Sequence, residues 1–123
     1  MAQTPHEPES RANLTVEFRE RAGAVVIEMK GEASVWSQAE LDDALERVSR
    51  AAAPRVVLDL GGLTSISSVG LGWILAARKR LGTRGTRLLI ARPAPEIERI
   101  LRLGRIHELA PIHPTVDDAL RAS

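Results

Sequence analysis

Between Val56 and Leu81 the hydrophobic period of this chain changes from that of a strand to that of a helix. The change falls on two adjacent serines. Val56, Val57, Leu58 and Leu60 form an apolar run interrupted only by Asp59, the pattern of an interior strand. From Leu71 onward, Leu71, Ile74, Leu75 and Leu81 recur at helical spacing and are expected to form the buried face of a helix over about 69–81. Gly61 to Ile66 reads as a short Gly/Ser/Thr turn joining the two. Ser67 and Ser68 then stand where the helix begins, beside backbone N–H groups that have no partner in the helix. Those donors and the helix dipole favour an anion at this point.

The chain has 123 residues, the size of one domain, and 44% of them are apolar. Trp36, Trp73 and Phe18 are the aromatic residues, so aliphatic side chains and alanine must fill the core. The absence of cysteine excludes disulfides and thiolate chemistry. No apolar run approaches the roughly 20 residues that cross a bilayer. The first ten residues lack a basic region followed by an apolar one. A cytoplasmic location without membrane insertion is expected. Residues 1–60 carry a formal balance of −4, residues 61–105 one of +7, and the remainder one of −2. The basic middle is spread over several helices and connections without aromatic interleaving. It reads as solvated helix faces rather than a nucleic-acid surface.

Taken in order, residues 1–12 are polar and expected to be disordered, and residues 13–123 form the domain. Leu14–Phe18 alternates and predicts a strand with Leu14, Val16 and Phe18 inward. A turn at Arg21–Gly23 leads to an antiparallel strand from Ala24 to Lys30, with Val25, Ile27 and Met29 inward, closed by Gly31. Ser37 and Glu40 have capping-box spacing, with Trp36 and Leu41 placed as a hydrophobic staple, ahead of a helix burying Leu41, Ala44, Leu45 and Val48. Gly85 opens a strand over Thr86–Ala91. Pro95 starts a helix with Ile97, Ile100 and Leu101 on its apolar face, and Gly104 stops it. Ile106–Ile112 reads as a short final strand, and Thr115 caps a last helix to about Arg121. This alternation predicts an α/β fold: a mixed, mostly parallel sheet of four to five strands, with about four helices packed mainly on one face.

Nothing in the pattern assembles a catalytic group. His6, His107 and His113 lie towards the chain ends without metal-ligand spacing. Asp59 has no acid or base placed beside it by the sequence and reads as a cap or turn residue. Gly61-Gly62 and Gly70-x-Gly72 match neither a P-loop nor a dinucleotide fingerprint. Ser68 lacks the preceding glycine of a nucleophile elbow. Its hydroxyl is therefore unactivated and reacts only if another protein supplies the base and the electrophile. The expectation is a non-enzyme, with no cofactor or metal.

The run from Leu58 to Gly72 resembles the signature of STAS domains, and within them the bacterial anti-sigma-factor antagonists. That family typically reads Asp-Leu-Ser-Gly-Val-Thr-Phe-Ile-Asp-Ser-Ser-Gly-Leu-Gly. The resemblance extends over about 14–121, including Gly31-Glu32, the Gly85 strand and the helix end Ile100–Gly104. It implies a single STAS-type domain that binds an anti-sigma factor. It further implies that this partner is also a serine kinase and that it phosphorylates the serine corresponding to Ser68, with Ser67 as the fallback acceptor and Thr64 after it. The implied partner-binding residues are Ser67, Ser68, Val69, Gly70 and Thr64. Ser67 stands where the family has aspartate, Val69 where it has a second serine, and Ser34 where an early Gly-Glu-Leu-Asp motif has its aspartate.

Trp73 joins that set from helical geometry: with Leu71 inward, Val69, Trp73, Ala76 and Arg80 lie opposite the core, and an exposed tryptophan is a common interface anchor. The rival reading of the resemblance is a STAS adaptor subunit of a lipid-transport ABC system. A small-molecule sensor has no dedicated pocket signature, and a DNA-binding role is weakest. A homodimer is left open.

Overall fold

Leu58, at the middle of the most apolar run, sits at the centre of a five-stranded sheet. A computed structural model describes residues 13–122. Its strands are β1 (Leu14–Arg21), β2 (Ala24–Ala33), β3 (Arg55–Ile66), β4 (Arg87–Ala91) and β5 (Ile112–His113). They lie side by side in sequence order. The first two form an antiparallel hairpin, and every later pairing is parallel. The expected mixed, mostly parallel sheet is therefore present. Parallel neighbours need crossover connections, which three helices provide: α1 (Gln38–Ser49), α2 (Ser68–Gly82) and α3 (Pro95–Leu103); a fourth, α4 (Val116–Arg121), follows the last strand.

The main core lies on one face of the sheet. There Leu14, Ile27, Met29, Val56, Leu58 and Leu60 meet Leu41, Ala44 and Val48 of α1, Ile74 and Leu81 of α2, and Ile97 and Leu101 of α3. On the other face Val26, Val57, Leu89 and Ala91 pack against Ala119 of α4. This two-sided burial explains why β3 reads as a continuous apolar run. It also adds Val26 to the inward set, which the alternation of the hairpin alone omits. Among the described residues no helix is long and apolar enough to cross a membrane.

Several boundaries differ from the sequence reading. β3 does not end at Leu60. It runs on through Gly61, Gly62 and Thr64 to Ile66, pairing Gly62 with Lys30, Leu63 with Gly31, Ser65 with Glu32 and Ile66 with Ala33, with two shifts of register. β2 likewise continues past Gly31 to Ala33. The Ser37–Glu40 capping box is absent. Ser37 makes no side-chain bond to α1 and instead closes a box with Ser34 around a 3₁₀ turn, Val35–Ser37. Trp36 is no staple, because that turn points it into solvent. The segment read as a final strand is a 3₁₀ turn, Ile106–Glu108, followed by the two residues of β5. Arg105, left-handed at φ 61°, sets that turn and breaks any extended run. The tail expected at residues 1–12 lies outside the described residues.

Candidate functional site

The site is built where the carboxyl ends of β2 and β3 meet the amino end of α2. Ile66 ends β3, Ser67 is extended at φ −104°, ψ −176°, and α2 starts at Ser68. Ser67 is the N-cap. Its Oγ accepts from the Val69 N–H at 3.2 Å, satisfying one of the donors that a helix start leaves unpaired. The same hydroxyl lies 3.4 Å from the carbonyl of Ala33, which also accepts from the Ser67 N–H at 3.0 Å. Ser67 is thereby stitched to the end of β2. Gly70 completes the joint. A Cβ at that position would lie 2.6 Å from Ile66 Cγ1, 2.8 Å from the Ala33 carbonyl oxygen and 2.9 Å from Ala33 Cβ. Only a residue without a side chain allows α2 to approach β2 this closely.

Thr64, Ser65, Ser67 and Ser68 all carry hydroxyls here. Ser65 is exposed within β3 with no side-chain hydrogen bond among the described residues, and the other three differ in freedom. Ser67 is half-buried and occupied as just described. Thr64 is exposed on β3, and its Oγ1 donates to the Gly31 carbonyl at 3.0 Å. Ser68 is exposed at the first position of α2, and its side chain makes no hydrogen bond among the described residues. Val69 is half-buried behind it.

The structure places two residues of the expected partner surface inside the fold, and for Trp73 this corrects the expected exposure. Gly70 is buried in the joint. Trp73 is only 6% exposed, and its indole Nε1 donates to the Leu41 carbonyl of α1 at 2.7 Å. The buried face of α2 is Gly70, Trp73, Ile74, Ala77 and Leu81, whereas Leu75, expected inside, is 42% exposed. Trp73 lies between Gly70 and Ala77 on this buried face and reaches α1 through its indole N–H.

The reverse correction applies at the turn after β2. Val35 and Trp36 are 60% and 73% exposed, and Ala33, at the head of that turn, is the residue bonded to Ser67. Trp36 was visible in the sequence as an aromatic without a partner at strand spacing, but the apparent staple with Leu41 concealed its exposure.

A second polar cluster lies on the α4 face. Asp59 lies within β3 rather than at a cap or turn, and accepts from the Gly61 N–H at 3.0 Å and from Arg92 Nε at 2.8 Å. Glu28 approaches Arg92 at 3.9 Å and Arg19 at 2.5 Å. Opposite charges here compensate one another. The basic middle of the chain is similarly dispersed. Arg78 donates to the Leu109 carbonyl, Arg80 to Ser49, and Arg102 to Glu98. Among the described residues no group of three or more His, Asp or Glu side chains gathers as a metal site requires.

The sequence matches the STAS domain family over residues 15–119. The chain belongs to that family. A curated STAS relative, the anti-sigma F factor antagonist of Paenibacillus polymyxa, is 26% identical over 112 residues, covering 88% of this chain and 93% of its own. The crystal structure of an anti-sigma factor antagonist from Mycobacterium paratuberculosis superposes with a TM-score of 0.74 at 29% identity, over 87% of this chain and 91% of that one. The Bacillus cell-fate determinant SpoIIAA in its phosphorylated form shares the STAS fold at a TM-score of 0.65 and 16% identity, over 86% of this chain and 96% of that one.

Proposed function

We propose that this STAS domain is a cytoplasmic anti-sigma-factor antagonist. It binds an anti-sigma factor that is also a serine kinase, and phosphorylation of Ser68 ends that binding. The observation that carries the reading is the placement of Ser68 among the hydroxyls of this joint, since Ser65, also exposed and unbonded, lies within β3 and not at a helix start. Ser67 and Thr64 are committed to the backbone, whereas Ser68 is exposed and unbonded at a helix start.

In the phosphoryl transfer the Ser68 oxygen forms a bond to the γ-phosphorus of ATP. The bond from that phosphorus to the bridging oxygen breaks, ADP leaves, and the hydroxyl proton passes to a base of the kinase. This chain contributes only the positioned alcohol. The product adds about −1.5 to −2 charge at the amino end of α2. The helix dipole favours that charge, so the fold tolerates it. A partner packed over the same spot must desolvate a dianion, which is costly without a cation to pair with it. The switch acts on binding and leaves folding intact.

The test is labelled-phosphate transfer from ATP by a purified cognate kinase. Wild type is expected to take the label on Ser68, and Ser68→Ala to lose it. Equal labelling of Ser68→Ala would move the acceptor to Ser67 or Thr64 and overturn this assignment.

A further inference from the structure

The turn after β2 is held firmly yet displays its two largest side chains to solvent. Ser34 Oγ accepts from the Trp36 N–H and Ser37 Oγ from the Ser34 N–H, each at 3.2 Å. The Ser37 N–H donates to the Ser34 carbonyl at 2.9 Å, and the fully buried Ser37 hydroxyl donates to the Glu32 carbonyl. Four hydrogen bonds thus fix a 3₁₀ turn whose outer surface is Val35 and Trp36. The Ala33 carbonyl that leads into the turn accepts from the Ser67 N–H, and Gly70 packs on Ala33. Turn and helix start are therefore joined through Ala33, which stands three residues before Trp36 and is bonded to the residue before Ser68.

The charge pattern defines the kind of partner. Neither Ala33–Ala39 nor Thr64–Trp73 contains a charged residue. Charge enters only at the flanks, as on the exposed Glu32, so a partner's affinity within these two segments comes mainly from burying apolar area. Against an uncharged surface, a single phosphate is also the largest electrostatic change available.

We infer that Val35 and Trp36 are the docking anchor for the anti-sigma factor, with the Trp36 indole entering an apolar pocket beside the partner's phosphotransfer cleft. The inference rests on the function proposed above and supplies its binding surface. Residues 1–12 join the domain close by, at Asn13, whose carbonyl accepts from the Glu32 N–H at 2.6 Å. They contain no Leu, Ile, Val, Phe or Trp, and so offer little apolar area to cover an indole.

The experiment uses the full chain and a purified anti-sigma serine kinase from the native host. Calorimetry compares wild type, Trp36→Ala and Val35→Ser, and acrylamide quenching compares wild type with Trp36→Phe. Trp36→Ala is expected to bind about 30-fold or more weakly, with an unchanged thermal midpoint. Val35→Ser should lose a smaller factor. In the free chain the Trp36 signal should quench strongly, and bound partner should protect it. Equal affinity of wild type and Trp36→Ala overturns the anchor while leaving phosphorylation of Ser68 standing. A Trp36 signal already protected in the free chain means that residues 1–12 or a second copy cover it, which also overturns the anchor. Failure of wild type to bind any such kinase overturns the proposed function and the anchor with it.

Discussion

The two tryptophans of this chain have exchanged the roles that their sequence neighbourhoods suggest. Trp36 precedes a helix at staple spacing and was expected to be covered, and Trp73 lay opposite an apparent apolar stripe and was expected to face water. In the fold Trp36 is 73% exposed and Trp73 only 6%. The difference lies in what the backbone offers each ring. Trp73 finds the Leu41 carbonyl for its indole N–H and a place in the main core. Trp36 rides on a turn whose hydrogen bonds are satisfied by Ser34 and Ser37, and it stays largely exposed among the described residues. One ring is therefore part of the fold, and the other is free for recognition.

The strongest way to break this contrast is to remove the inner ring. Trp73→Ala deletes a buried aromatic and its hydrogen bond, and is expected to cost about 3–5 kcal/mol, a large share of the roughly 5–15 kcal/mol that holds a domain. Denaturant unfolding at constant m-value measures it. A loss below about 1 kcal/mol, the scale of an ordinary surface change, would place Trp73 outside the core and dissolve the distinction from Trp36.

A smaller effect separates two glycines on the same helix. Gly70 has no room for a Cβ, while Gly72 has nothing within 4 Å of that position. Gly70→Ala should destabilise by about 1–3 kcal/mol through overpacking, driving α2 from Ala33 and loosening the joint that carries both Ser68 and Trp36. Gly72→Ala should instead stabilise by up to about 1 kcal/mol, because alanine is the better helix former. Thermal midpoints moving in the same direction for both variants would show that the close approach at Ala33 is not what holds the helix start.

The sequence disclosed the parts of this fold that local chemistry dictates. The apolar run of β3, the start of α2 at Ser68, Pro95 and Gly104 bounding α3, and the Thr115 cap of α4 were all legible. What it concealed depends on tertiary contact. The first turns of α2 are apolar nearly all round, through Val69, Leu71, Trp73, Ile74, Leu75 and Ala76, so periodicity gave little direction. The glycines and hydroxyl residues between Leu60 and Ser67 look like a turn until β2 supplies backbone partners for them. At the site, the two serines could be placed at the helix start from spacing alone. Their division of labour could not, because the Ala33 carbonyl that engages Ser67 is 34 positions away in the chain.

That division of labour gives the mildest test, and it reinterprets a departure from the family pattern. Ser67 occupies the position where the family motif has aspartate, and the fold uses it as an N-cap whose oxygen accepts from the Val69 N–H. Serine and aspartate are about equally good in that role. The position therefore requires a short side chain bearing an acceptor oxygen, and a charge there is not needed to build the helix start. Ser67→Ala should cost about 1 kcal/mol, roughly 4 °C in thermal midpoint for a domain near this size, and Ser67→Asp should restore most of it. Ser68→Ala, which removes no hydrogen bond among the described residues, should stay within about 0.5 kcal/mol of wild type. If Ser68→Ala proved the more destabilising of the two alanine variants, the assignment of cap and acceptor to these neighbouring serines would be reversed. The exposed alcohol at the start of α2 would then be structural, and the proposed binding surface would have no switch.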